Sequence, residues 1–206
     1  MIYEKIDLYD YFSLPREGKT GGVLTVVCRS PYVEIKEKIR PAMLVIAGGG
    51  YFMVSEREAE PIALHFLLQG YAAFSLKYSV QTAYPVPLLE AAMAMAFIRE
   101  NAEKYGVDTK HVGAVGFSAG GHLTAMLGNL FADPCVKETL GKRAALVRPD
   151  AVLLAYPVIS GSEFGHSETM TTISGGDQAL RGALSLETRV TKQSSPAFIW
   201  HTVEDD

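Results

Sequence analysis

The sequence predicts an α/β protein, with a mainly parallel sheet flanked by helices. Three observations carry that prediction. Segments of strand and helix character alternate along the chain from about residue 22 to residue 201, a rhythm that implies right-handed crossovers and active-site residues at the carboxyl ends of the strands. The run Pro41-Ala42-Met43-Leu44-Val45-Ile46-Ala47 contains no polar side chain, as expected of a central strand covered on both faces. Another apolar run, Val112 to Val115, feeds directly into Gly116-Phe117-Ser118-Ala119-Gly120, a GxSxG pattern between strand and helix. Such a turn is so sharp that its central residue is strained, and the flanking glycines leave room for neighbouring backbone to pass.

In chain order, Gly22 to Cys28 has the β-branched character of a strand near one edge of the sheet, ended by Pro31. The central strand 41–47 is followed at once by Gly48, Gly49 and Gly50. Ser55, three residues ahead of Glu58, has capping-box spacing and predicts a helix start there, running to about Gln69 with Gly70 as its stop. Ala72 to Leu76 is a short strand. Pro85 and Pro87 open a long amphipathic helix through Leu88, Leu89, Ala92, Met95 and Ile98, which Gly106 closes. A helix begins near Ala119, just past the serine, and the stretches 150–156 and 195–201 are further strands. Between them, 160–195 is polar and glycine-punctuated, and reads as a small cap or insertion over the site. With 206 residues and no internal repeat, the chain reads as one domain.

Composition excludes several function classes. The net charge of −4 comes with Lys and Arg scattered along the chain, which leaves no basic stripe for nucleic acid or anionic lipid. The opening Met1-Ile2-Tyr3-Glu4-Lys5-Ile6-Asp7 lacks the features of a signal peptide, and no stretch is apolar enough to span a bilayer, so a cytoplasmic location without a membrane partner is expected. Cys28 and Cys135 stand far apart with no CxxC or histidine companion, which fits free thiols rather than a disulfide or a metal site.

The serine elbow, Gly48-Gly49-Gly50-Tyr51, Tyr78 and Ala83-Tyr84-Pro85-Val86-Pro87 together resemble the α/β-hydrolase esterases related to hormone-sensitive lipase. Tyr156-Pro157-Val158-Ile159-Ser160 followed by Glu163-Phe164-Gly165-His166 is most similar to the bacterial carbohydrate acetyl esterases of acetyl xylan esterase-like type. The resemblance implies a serine esterase that removes short acyl groups, acetyl above all, from a sugar or another small alcohol, with no metal or organic cofactor. It assigns Ser118 as nucleophile, Asp205 as the acid of a triad, the N–H groups of Gly49, Gly50 and Ala119 as oxyanion donors, and Tyr51 and His166 as substrate contacts. For the glycines the plain alternative is a flexible turn, and for Asp205 a solvated acidic tail, Glu204-Asp205-Asp206. The histidine that the family often carries before the glycines is Ala47 here, which bears on substrate preference more than on mechanism.

The base is the missing part. In this fold it follows the acid, and only Asp206 follows Asp205. His65, His111 and His122 read as structural, His201 precedes the acid, and His166 sits in the cap-like segment; His122 and His201 are the surrogate bases to consider. The expectation is therefore a C-terminally truncated chain, without the family's final strand and helix. Its last strand would be left as a naked edge that invites self-association into a homo-oligomer. Two other readings stand beside the acetyl esterase: a general carboxylesterase or amidase with the same machinery, and a non-catalytic α/β-hydrolase scaffold that binds a ligand without a base.

Overall fold

The computed structural model describes residues 1–30 and 39–203. Its strands are β1 (Ile2–Asp7), β2 (Val23–Cys28), β3 (Arg40–Ile46), β4 (Ala72–Lys77), β5 (Val107–Phe117), β6 (Ala151–Ala155) and β7 (Ala197–Trp200). They form one sheet in the order β1-β2-β4-β3-β5-β6-β7. β1 and β4 each pair antiparallel with β2. Every pairing from β4 through β3, β5 and β6 to β7 is parallel. The Gly22-to-Cys28 run thus lies one place in from the edge. The edge itself is β1, formed by residues that the sequence reading treated only as a chain start.

Helices α1 (Leu8–Phe12), α2 (Glu60–Leu68), α3 (Val86–Glu100), α4 (Ala102–Tyr105), α5 (Ala119–Leu130), α6 (Pro134–Leu140), α7 (Ser167–Ser174) and α8 (Gln178–Ala183) connect or cover these strands. Prolines near the first turns of α2, α3 and α6 fit because the first helical N–H groups have no intrahelical partner to lose. The long helix expected to run to Gly106 instead breaks at Asn101, and left-handed Gly106 caps the separate α4. The helix expected from Ser55 also differs. Residues Glu56–Glu58 make one turn of 3-10 helix, the Ser55 side chain forms no cap, and α2 begins only at Glu60. The reason is tertiary: the Glu58 carboxylate is held by groups elsewhere in the fold, described below.

Alternation along the strands gives the sheet two unlike faces. Leu24, Val26, Leu44, Ile46, Phe74, Leu76, Ala114, Val152 and Leu154 belong to a large core that includes α3 and α5, and each is at most 4% exposed. The opposite face has a smaller core, in which Met43, Val45, Ala73 and Val115 pack with Ala63, Ile62 and Phe66 of α2. One cross-strand row on this second face runs Lys5, Thr25, Ser75, Val45, Val115, Leu153, Phe198. It is polar at the β1 end and apolar at the β7 end, where Phe198 is 66% exposed. In 160–195, α7 and α8 supply the regular structure, capped by His166 and Asp177.

Candidate active site

Ser118 sits between the last residue of β5 and the first of α5, with φ 51° and ψ −119°. A non-glycine residue held in this region stores about 1–3 kcal/mol, and here it is held from both sides. Its N–H donates to Ala155 O at 3.1 Å, and its carbonyl accepts from His122 N and Val158 N, each at 3.1 Å. The turn also needs Gly120: a Cβ there would stand 2.3 Å from both the Ala47 and Ile46 carbonyl oxygens. Absence of a side chain lets α5 start against the end of β3, which brings Ser118 beside the glycine loop.

Buried hydrogen bonds shape that loop. Gly48 N–H donates to Glu58 Oε2 at 2.9 Å, and Tyr78 O–H donates to Ala47 O at 3.0 Å. Tyr51 is fully buried, with its hydroxyl 2.9 Å from His122 Nδ1 and its ring edge-on to Tyr78. Ser118, Gly49, Gly50, Glu58, Tyr156 and His166 line one cavity of about 650 Å³, with Met53, Arg57 and Thr169 also on its walls. The N–H groups of Gly49, Gly50 and Ala119 have no acceptor among the described residues.

Of the residues expected from the sequence, the structure gathers Ser118, Gly49, Gly50 and His166 around one space, with Ala119 directly behind the serine. Tyr51, expected as a substrate contact, is fully buried and supports the loop from beneath, with its hydroxyl paired to His122. Asp205 lies outside the described residues. His166 caps α7, its Nδ1 accepting from Thr169 N at 3.2 Å and lying 2.9 Å from Thr169 Oγ1. That arrangement leaves Nε2 to carry the proton and face other partners as a donor.

Neither proposed surrogate base reaches the serine. His122 is completely buried, and burial lowers its pKa from 6.5 to about 4. Its Nε2 lies 3.0 Å from Leu184 O, so Nε2 donates there and Nδ1 accepts from Tyr51. Both ring nitrogens are engaged in holding the ring neutral. His201 is exposed and pairs with Thr202 O. Among the described residues, no histidine ring hydrogen-bonds to the Ser118 hydroxyl.

Sequence reasoning missed two groups. Glu58, 9% exposed, joins Gly48 N–H to the Tyr156 hydroxyl, whose O–H donates to Glu58 Oε1 at 3.0 Å. Its capping-box spacing disguised it as a helix-start residue. Tyr156, at φ 36°, also packs its ring against Phe117 and Trp200. In the sequence it stands only as the end of a predicted strand and as part of the motif that carries the family resemblance.

The sheet order, the crossovers and the strained serine between strand and helix define an α/β hydrolase. Comparison with known proteins narrows this further: the chain matches the BD-FAE family over residues 32–206 and belongs to it. Endo-1,4-beta-xylanase B of Butyrivibrio fibrisolvens is 38% identical over 84% of this chain and 28% of its own length. The acetylxylan esterase of Xylanibacter ruminicola is 27% identical over 80% of this chain and 33% of its own. The chain therefore spans about a third of these curated relatives. Among solved structures, the acetyl ester-xyloside bifunctional hydrolase from Caldicellulosiruptor lactoaceticus superposes with a TM-score of 0.83 at 33% identity, covering 98% of this chain and 75% of that one. A carboxylesterase from Lactobacillus plantarum gives 0.79 at 25% identity, covering 100% and 74%.

Proposed function

We propose that this protein is a serine ester hydrolase that removes short acyl groups, acetyl foremost, from a carbohydrate. The observation that carries the reading is the strained Ser118 opening into the same cavity as Gly49 and Gly50. Ser118 Oγ attacks the acyl carbon while its proton passes to a general base. The developing oxyanion is met by the N–H groups of Gly49, Gly50 and Ala119, each donor lowering the barrier by about 3 kcal/mol. Collapse of the tetrahedral intermediate expels the sugar hydroxyl and leaves an acyl-serine, which water then hydrolyses. Asp205 is assigned as the group that orients the base, on the family resemblance alone.

The cavity wall favours a hydrophilic alcohol. Glu56, Arg57, Glu58, Tyr156, His166 and Thr169 bring charge and hydrogen-bonding groups to it, against the single long apolar side chain of Met53. A lipid-like ester would desolvate the charged groups of Glu56 and Arg57 on this wall. The relatives named for acetylxylan and acetyl-xyloside esters support the same substrate class.

The test is hydrolysis of 4-nitrophenyl acetate, 4-nitrophenyl octanoate and acetylated xylan by protein expressed from the complete gene. Acetyl esters should be preferred, and Ser118→Ala should lower kcat/KM by about 10³-fold or more. Unchanged turnover in that variant, with native folding, would refute the assignment.

A further inference from the structure

A second cavity of about 650 Å³ lies beside the first, and the two share Glu56 on their walls. It forms over the outer strands, with Glu60, Pro61 and Leu64 of α2 as one wall. Lys5, Thr25 and Ser75 occupy consecutive positions of one cross-strand row on β1, β2 and β4, and Lys77 follows two residues along the same face. Nearer the centre of the sheet, the same row is filled by Val45 and Val115, which pack under α2. The polar end is thus a departure from the pattern that a covered sheet face requires.

Ser75 brings a hydrogen-bonding group to the cavity wall. The residue is only 6% exposed and lines the cavity, yet its hydroxyl has no hydrogen-bond partner among the described residues. That hydroxyl is not sealed from solvent, so it opens on the cavity, where water or a ligand can hydrogen-bond to it. The ammonium groups of Lys5 and Lys77 likewise have no carboxylate within ion-pair distance among the described residues.

Charge selects the ligand class. The ionised groups on the wall are two ammoniums, Lys5 and Lys77, and two carboxylates, Glu56 and Glu60, so neither an anion nor a cation is favoured overall. Donors and acceptors are interleaved with the apolar surfaces of Val54, Pro61 and Leu64. That mixture matches a sugar ring, with hydroxyls at its rim and C–H groups on its faces. The volume lies within the range of small-molecule sites.

We propose that this second cavity is a subsite for the unreacted part of a carbohydrate chain, whose ester-bearing unit lies at Ser118 while the chain passes Glu56. The inference rests on the carbohydrate reading of the Ser118 site, and the experiment separates the two. Unesterified xylohexaose is titrated calorimetrically into the wild-type protein, Ser75→Ala, Lys77→Gln and Ser118→Ala. Binding to the wild type is expected, with Kd raised about tenfold in Ser75→Ala and in Lys77→Gln and little changed in Ser118→Ala. Lys77 is exposed, so its variant keeps the test valid if Ser75→Ala misfolds. No binding to the wild type, or equal Kd values in the folded cavity variants, overturns the subsite. The Ser118 reading is tested apart from this by 4-nitrophenyl acetate hydrolysis, which needs no sugar chain.

Discussion

The two faces of the sheet are made from the same strands but solve different problems. The face toward α3 and α5 is apolar and closed from Leu24 to Leu154, and opens only at β7, where Ile199 is 59% exposed. The face toward α2 is closed only in the middle. Its β1 end is polar and borders a cavity, and its β7 end presents Phe198 and Trp200 at 66% and 50% exposure. The difference teaches that rigidity and access are divided between the faces. The helix that starts at the serine packs on the closed side, so the strained turn is backed by the large core, while Glu56, just ahead of α2, lines both cavities.

The strongest way to break this contrast is to disturb the closed side at its tightest contact. Gly120→Ala places a methyl group 2.3 Å from two backbone oxygens of the β3 end, which cannot swing aside as a side chain would. A loss of about 3 kcal/mol or more in urea unfolding is expected, with the serine turn displaced. Wild-type stability would show that α5 and β3 are not in such close contact.

A second test uses acid. His122 is neutral in the folded protein, with a pKa of about 4 against 6.5 unfolded. Between those values the unfolded state binds the additional proton, so the stabilisation is fully present above pH 6.5 and is lost as pH falls toward 4. The expected loss is about 3 kcal/mol across that window. Measuring unfolding free energy from pH 7 to 4 for the wild type and His122→Gln checks it: the variant should show a shallower decline, and parallel slopes would contradict the role given to His122.

The smallest effect belongs to the open end. Phe198→Ser should change stability by no more than about 0.5 kcal/mol, because most of that ring is already in solvent. A loss comparable to a core truncation would mean that the β7 end is covered in solution and that the contrast between the faces is less than described.

What was legible in the sequence was what local chemistry decides. The uninterrupted apolar run of β3 and the glycines around Ser118 are consequences of burial and backbone approach within a few residues, and both stand where expected. β1 was not read, although Ile2, Glu4 and Ile6 alternate with Tyr3, Lys5 and Asp7, because charged alternation at a chain start looks like a solvated tail until its partner β2 is known. Glu58 was misread for the same kind of reason. Its spacing from Ser55 is a local helix-start signal, but the bonds that claim its carboxylate come from Gly48 and from Tyr156. Ser75 carried no signal at all, since a serine in a strand declares neither its face nor its missing partner.

The contacts that build the Ser118 site also set when it can exist. Glu58 to Tyr156 spans 98 residues of chain, Tyr51 to His122 spans 71, and His122 to Leu184 spans 62. Each closes a long loop whose entropy must be overcome before the bond returns any stability. The pairing of β3 with β5, as in Ala42 with Val112, closes loops of similar length, so the serine turn and the cavity wall carry a similar entropic cost. The site therefore depends on the chain from Gly48 to Leu184 being assembled together.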